Sequence, residues 1–421
     1  MTPPEPRTLV SLFTGAGGLD VGLEAAGFRP VLCVESDREC RLTIEENRSE
    51  WPVHEDGNVL KLDVDEVAAE LKDEHGEIDL LAGGPPCQPF SKSGYWVNGA
   101  SARLTDPRAK TLDAYFDLLA AIRPRTFLLE NVSGFASHGK EGGLEHILRL
   151  TRKINRKTGC RYRPRVLDLN AADFGVPQRR RRLFVVASRS GETLKPPACT
   201  HMVSTPGGVR PYVTAWDAIG DLDGTQWPEE LQATGYWADL LPSIPEGSNY
   251  LWLTDRGGGE PLFGWRTRYW SFLLKLAKCL PSWTLQADPG PATGPFHWRS
   301  RQLSIRELAR LQTFPDTYAF GSCRRIAVRQ IGNAVPPLLA EVIGRALQAQ
   351  VFAHPWDDEP TLAMPSRQDC PEPERVSEVP AKYNALSGEH AAHPGAGKGP
   401  RASRSVAAQD KAESRDNKES I

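Results

Sequence analysis

Short apolar runs rich in β-branched residues alternate with helix-period segments through the first ~190 residues, and this rhythm restricts the chain more than any other feature. Arg7–Phe13 reads as a strand, Leu19–Ala26 as a helix stopped by Gly27, Pro30–Glu35 as a strand and Arg38–Asn47 as a helix. Ile78–Ala82, Thr126–Leu129, Arg165–Leu169 and Leu183–Ala187 read as further short strands, and helical patterns fill 111–122 and 143–156. Parallel neighbours need a crossover, usually a helix, so the alternation predicts an α/β fold. Its sheet should be mainly parallel, with helices on both faces. Ligands of such sheets bind outside the carboxyl ends of the strands, so functional residues are expected where strands end.

The rhythm breaks after 189. Residues 190–300 hold eight of the eleven Trp, are rich in Gly and Pro, and predict a smaller irregular lobe. Helical periodicity returns at Ser304–Thr313 and Pro337–Phe352, so 301–353 is expected to rejoin the first domain. Ser304 with Glu307 three residues on reads as a capping box, which gives Glu307 a structural task. From 354 to 421 large apolar side chains are scarce, and 355–421 carries 9 Lys/Arg against 12 Asp/Glu. Such a segment cannot offset its ordering entropy by burial, and a disordered tail is expected.

Lys+Arg is 51 and Asp+Glu 53, so no global basicity marks a nucleic-acid binder. The longest nearly apolar stretches, such as Phe272–Leu280 with its Lys275 and Lys278, are far short of the ~18 residues of a membrane span. The amino terminus shows no secretory pattern. None of the eight cysteines forms a C-x-x-C pair, so neither a metal site nor a disulfide framework is expected, and the cytoplasm is the natural compartment.

Four strand ends carry chemistry. The first runs into Phe13-Thr14-Gly15-Ala16-Gly17-Gly18, where glycines allow a sharp turn and close approach of a ligand to a helix amino terminus. Glu35, about 20 residues on at the next strand end, is placed to accept ribose hydroxyls. A purely structural glycine turn is the alternative. The strand at 78–82 empties into Gly83-Gly84-Pro85-Pro86-Cys87-Gln88-Pro89-Phe90-Ser91, a rigid setting that presents the Cys87 thiol as a nucleophile. Phe127–Leu129 ends in Glu130-Asn131-Val132, a carboxyl suited to donating a proton once partly desolvated. Gln178-Arg179-Arg180-Arg181-Arg182 enters another strand, and alternation sends Arg180 and Arg182 to one face, where an Arg could hold Glu130. The basic run Arg149–Arg165 is expected to be a solvated helix face.

The ordered set FTGAGG, Glu35, GGPPCQPFS, ENV, QRRRR, RELARLQTFPD and QIGNAVPP resembles the DNA (cytosine-5) methyltransferase family over about 1–188 and 300–350. The resemblance implies a Rossmann-like methyltransferase sheet with a target-recognition lobe, S-adenosylmethionine as methyl donor and a cytosine flipped from duplex DNA as acceptor. It gives Cys87, Glu130 and Arg182 catalytic roles. It places Phe13, Gly15, Gly17, Gly18, Glu35, Asn58, Pro86 and Asn333 at the cofactor, with Asn58 standing where the family usually has Asp. It places Ser91, Arg180 and Thr284 at the DNA. It further implies a monomer and a restriction–modification or host-protection role, with a cognate endonuclease encoded nearby. An RNA methyltransferase, a catalytically inactive regulatory homologue and a nicotinamide-linked oxidoreductase are the competing readings. The size of the 190–300 lobe weighs against the first, and the presence of Cys87, Glu130 and Arg182 against the other two.

Overall fold

The computed structural model describes residues 6–86, 110–132, 143–203, 209–224, 226–264, 268–356, 358–366 and 369–387. Its elements, in chain order, begin with β1 (Arg7–Leu12), α1 (Gly18–Ala25), β2 (Phe28–Val34), α2 (Arg38–Asn47), α3 (Val64–His75) and β3 (Leu80–Gly83). They continue with α4 (Lys110–Ile122), β4 (Thr126–Asn131), α5 (Gly143–Thr158), β5 (Arg165–Asn170), β6 (Gln178–Arg179) and β7 (Arg181–Ser188). The second lobe adds β8 (His201–Met202), β9 (Arg210–Pro211), α6 (Ala215–Ile219) and β10 (Ser282–Trp283). Three helices follow: α7 (Ile305–Leu311), α8 (Arg324–Asn333) and α9 (Pro337–Val351).

The main sheet has the order β2-β1-β3-β4-β7-β5. β2, β1, β3 and β4 pair in parallel, so Val34, Leu12, Gly83 and Asn131 bring four strand ends to one edge. β7 follows β5 through a short turn rather than a helical crossover, and it pairs antiparallel with both β4 and β5. Its first residues therefore arrive at the edge where the parallel strands finish. Glu130 lies opposite Phe184 and Asn131 opposite Leu183 in this register.

Local chemistry sets many of the boundaries. Asp37 caps α2 by accepting from Glu39 N at 2.9 Å, and Asp63 caps α3 by accepting from Glu66 N at 3.1 Å. The expected capping box opens α7: Ser304 Oγ accepts from Glu307 N at 3.1 Å, and Glu307 Oε2 accepts from Ser304 N at 2.7 Å. Both sheet faces are covered. Leu118, Phe127, Val185 and their neighbours fill one side, while α1 and α9 close the other around Leu23, Phe28 and Leu339. α9 lies so close to α1 that a Cβ on Gly22 would stand 2.1 Å from Pro337 O. The amphipathic α5 buries Ile147, Thr151 and Ile154 and leaves Arg152, Lys153, Arg156 and Lys157 exposed, as a solvated basic face should.

The second lobe is built on turns and short 3-10 segments around Leu240, Tyr250, Phe263, Phe272 and Phe296. Here the expectation of a disordered tail from 354 is overturned as far as residue 387. Tyr383 is fully buried in this lobe's core and donates to Tyr236 O at 2.6 Å. Glu374 reaches the buried Lys278 at 2.8 Å, beside Glu246 at the same distance. Cys279 and Cys370, 91 residues apart, form a disulfide, which also corrects the reading that no cysteines are bridged. Together with backbone bonds such as Ser377 N to Pro242 O at 2.9 Å, these contacts suffice because the segment docks onto a core that already exists. The remainder of the 354–421 expectation, from 388 onward, lies outside the described residues. Among the described residues no helix is long and apolar enough to cross a membrane.

Candidate active site

A cleft of about 410 Å³ opens at the carboxyl edge of the sheet, where the strand ends converge. Phe13 (φ 57°) and Gly15 (φ 58°) turn the chain out of β1 through the left-handed region, and both line the cleft. Gly18 also lines it, and a Cβ there would stand 2.6 Å from Val335 O, so the loop and the α8–α9 connection touch without side chains between them. Glu35 is anchored on both oxygens, accepting from Gly15 N and Asp37 N at 2.7 Å each. Burial raises its pKa, against those two amides.

Opposite, Glu130 at the end of β4 meets Arg182 at the start of β7, with Nε 2.9 Å from Oε1. Burial pushes the Glu130 carboxyl above its ordinary value, while Arg182 and then Arg180 oppose the shift. Gly84 lets the chain pass close to this carboxyl, since a Cβ would come 2.9 Å from Glu130 Oε2. Pro86 and Asn333 line the same cleft. The structure therefore gathers Phe13, Gly15, Gly18, Glu35, Pro86, Glu130, Arg182 and Asn333. Cys87 and Ser91 lie outside the described residues, as does the segment that would follow them.

Three expected contacts fall elsewhere, and a fourth, Thr284, stays at the surface. Gly17 (φ 76°) is a structural turn: its would-be Cβ faces Tyr318 and Trp51 at 2.9 and 3.2 Å, away from the cleft. Asn58 spends its side-chain oxygen capping Leu60 N at 3.0 Å and does not line the cleft. Arg180, expected at the DNA, is fully buried. Its guanidinium donates to Gly332 O at 2.7 Å, Ala334 O at 2.9 Å and Leu285 O at 3.3 Å. These carbonyls include the unsatisfied, electronegative carboxyl end of α8, which compensates the buried charge. Thr284 is exposed, but its hydroxyl already donates to Arg179 O at 2.8 Å, so its proton is committed within the protein.

Other contributors were not visible in the sequence. Gln330 on α8 accepts from Thr43 Oγ1 at 3.1 Å and donates to Glu39 O at 2.9 Å, pinning α8 over α2 as one wall of the cleft. Arg329 pairs with Asp37 at 2.7 Å beside it. Tyr318 donates to Ala16 O at 2.8 Å and supports the glycine loop from behind. The only signal that could have suggested the first two is the QIGNAV block that contains Gln330.

The sheet and its cleft define the Rossmann-like methyltransferase fold. A Spodoptera frugiperda DNMT2 mutant shares this fold at a TM-score of 0.56 with 15% identity, over 81% of this chain and 99% of that one. Among relatives, the Type II methyltransferase M.SacI of Streptomyces achromogenes is 36% identical over 82% of this chain and 93% of its own length. M.PspPI of a Psychrobacter species is 32% identical over 84% of this chain and 82% of its own length. The model of the C-5 cytosine-specific DNA methylase family matches residues 7–349. The chain belongs to that family.

Proposed function

We propose that this DNA methyltransferase transfers a methyl group from S-adenosylmethionine to C5 of a cytosine flipped from a specific duplex sequence, through a covalent Cys87 adduct. One observation carries the reading. The glycine turn with Glu35 and the Glu130–Arg182 pair, 2.9 Å apart, share a single cleft, so a nucleoside cofactor and a pyrimidine can meet in it. The cofactor fits the residues present: Gly15 would leave room for its approach, Gly18 lets the α8–α9 connection close against the loop, Glu35 would take its ribose, and Phe13, Pro86 and Asn333 would enclose it. When bound, S-adenosylmethionine supplies an electrophilic methyl group.

The protein's residues make C5 able to accept that methyl. Cytosine C5 is a poor nucleophile until the Cys87 thiolate adds to C6. Glu130, with its pKa raised by burial, hydrogen-bonds or protonates N3 so that the ring can take up the thiolate's electron pair. Arg182 fixes the Glu130 carboxyl and offers donors to O2. As C5 gains the methyl group the donor's S–CH3 bond breaks, leaving S-adenosylhomocysteine. N3 returns any proton to Glu130, a base removes the C5 proton, and the electrons of that C–H bond restore the C5–C6 double bond and expel the thiolate.

The second lobe, with its Arg and aromatic side chains, is the natural reader of the duplex. The Type II relatives support a restriction–modification role. We further propose a monomer acting in the cytoplasm, with a cognate endonuclease encoded nearby. The test incubates the protein and a Cys87→Ser variant with S-adenosylmethionine and a random duplex library, then maps methylated cytosines by bisulfite sequencing. Methylation in one short context, absent with the variant, is expected. No protected cytosine above the variant's background would reject the DNA reading and direct the assay to RNA.

A further inference from the structure

Beside the catalytic cleft, the two lobes are stitched together by a short parallel pairing of β6 with β10, Gln178 against Ser282 and Arg179 against Trp283. The Arg179 guanidinium lies 5.3 Å above the Trp283 ring. Trp270 packs edge-on against the same ring, with centroids 5.5 Å apart, yet remains 54% exposed, and Tyr269 beside it is 51% exposed. Large aromatics exposed to this degree are costly unless something covers them, and these two are adjacent.

The ledge is held rigidly. Asn249 Nδ2 donates to Trp270 O at 2.7 Å, Tyr269 Oη bonds Thr293 Oγ1 at 2.9 Å, and Tyr250 Oη donates to Arg268 O at 2.9 Å. Arg268 spreads its guanidinium over Trp237 and Phe272, at 5.5 Å from each ring. Among the described residues neither Arg179 nor Arg268 forms an ion pair with a carboxylate, and both guanidiniums lie against aromatic rings, so the ledge presents positive charge. Arg179 stands three residues before Arg182, the partner of Glu130, so the ledge begins at most about 10 Å of chain from the catalytic pair. Base pairs repeat every ~3.4 Å along a strand, so a nucleotide held at Glu130 leaves its near neighbours within reach of the ledge.

We propose that Trp270, backed by Trp283 and Arg179, is a stacking residue for DNA: it covers a base face laid bare when the target cytosine leaves the helix. Arg179 and Arg268 neutralise the adjoining phosphates. The inference rests on the proposed duplex-DNA methyltransferase function and names the residues that compensate its base-flipping step. Extrusion unstacks the neighbouring bases, and an aromatic face already fixed in place restores stacking without further ordering of the protein. A preorganised ring with guanidiniums around it suits this occupant and no apolar one.

The test measures equilibrium binding, by fluorescence anisotropy across a salt series, of wild type and four variants to a duplex containing the methylated sequence. S-adenosylhomocysteine is present throughout. Trp270→Leu and Trp270→Ala are expected to raise Kd roughly tenfold with the salt slope unchanged. Trp270→Phe, which keeps a ring, should bind nearly as wild type, and Arg179→Gln should lower the log–log salt slope by about one. Thermal midpoints and S-adenosylhomocysteine affinity identify any variant that fails to fold. Wild-type affinity in a folded Trp270→Leu protein would overturn the proposal while leaving the methyltransferase reading intact. So would an equal loss in the Leu and Phe variants, which would make Trp270 a packing residue. A wild-type protein that binds and methylates no duplex overturns the underlying function, and this inference with it.

Discussion

Asp20 sits in the first turn of α1, fully buried, with neither carboxylate oxygen hydrogen-bonded. The Ser11 hydroxyl, which also pairs with Thr14 at 3.0 Å, and the Asp20 backbone amide favour the charged form but do not offset the burial. Burial is the main reason its pKa is pushed up from 3.8 to about 7, and the negative charges of Glu24 and Glu35 add to it. The folded protein therefore holds a proton that the unfolded chain releases. By linkage, the stability this proton confers is fully present below the unfolded pKa and is lost as the pH rises toward about 7. A shift of about three pH units corresponds to about 4 kcal/mol, of which roughly 3 kcal/mol falls between pH 5 and pH 8. Asp20→Asn replaces the titrating group with a neutral one of the same shape. Unfolding of the cofactor-free protein in urea should show the variant gaining about 3 kcal/mol on wild type over that interval, with a parallel rise of several degrees in relative Tm. A difference between the two proteins that stays flat from pH 5 to pH 8 would refute the argument, since every other titrating group is common to both.

Arg182→Gln removes the principal influence that holds the Glu130 pKa down. If protonated Glu130 serves the base, the alkaline limb of the kcat/KM profile should move to higher pH while kcat falls by about 10²–10⁴-fold; an unmoved limb would mean that another group titrates there. Tyr383→Ala should destabilise the second lobe by about 3–5 kcal/mol, as for other large aromatics cut from a core. Limited proteolysis should then cleave that lobe faster and DNA binding should weaken, with S-adenosylmethionine affinity retained, whereas wild-type protease resistance would show that the 369–387 segment contributes little.

The strand–helix alternation was legible because it is a local property. Strands at 7–12, 126–131 and 165–170 fall where β-branched runs predict them, and α2 occupies the predicted 38–47. Two helices escaped notice for the complementary reason. α3 buries only Val67 and Leu71, and α8 is largely polar with four buried positions, Ala327, Gln330, Ile331 and Gly332, so neither shows a strong apolar stripe. The carboxyl-terminal segment misled through composition. Its scarce apolar residues would not build a core, but Tyr383 and Glu374 need only complete one.

The candidate site divides in the same way. Residue type, motif spacing and strand-end position pointed to Glu35, Glu130 and Arg182 from the sequence alone, because each stands at a boundary that local patterning sets. Only the tertiary structure decided which neighbours in a motif face the cleft. Arg180 and Arg182 belong to one run of arginines, yet one is sealed under the carboxyl end of α8 and the other pairs with Glu130. Gly17 and Gly18 are adjacent, yet one backs onto Tyr318 and the other lines the cleft. These outcomes depend on the reversed β7 and on helices from more than 280 residues away that return to cover α1 and α2. Burial, and with it the direction of each pKa shift, is a property of those long-range contacts, and periodicity along the chain carries no record of them.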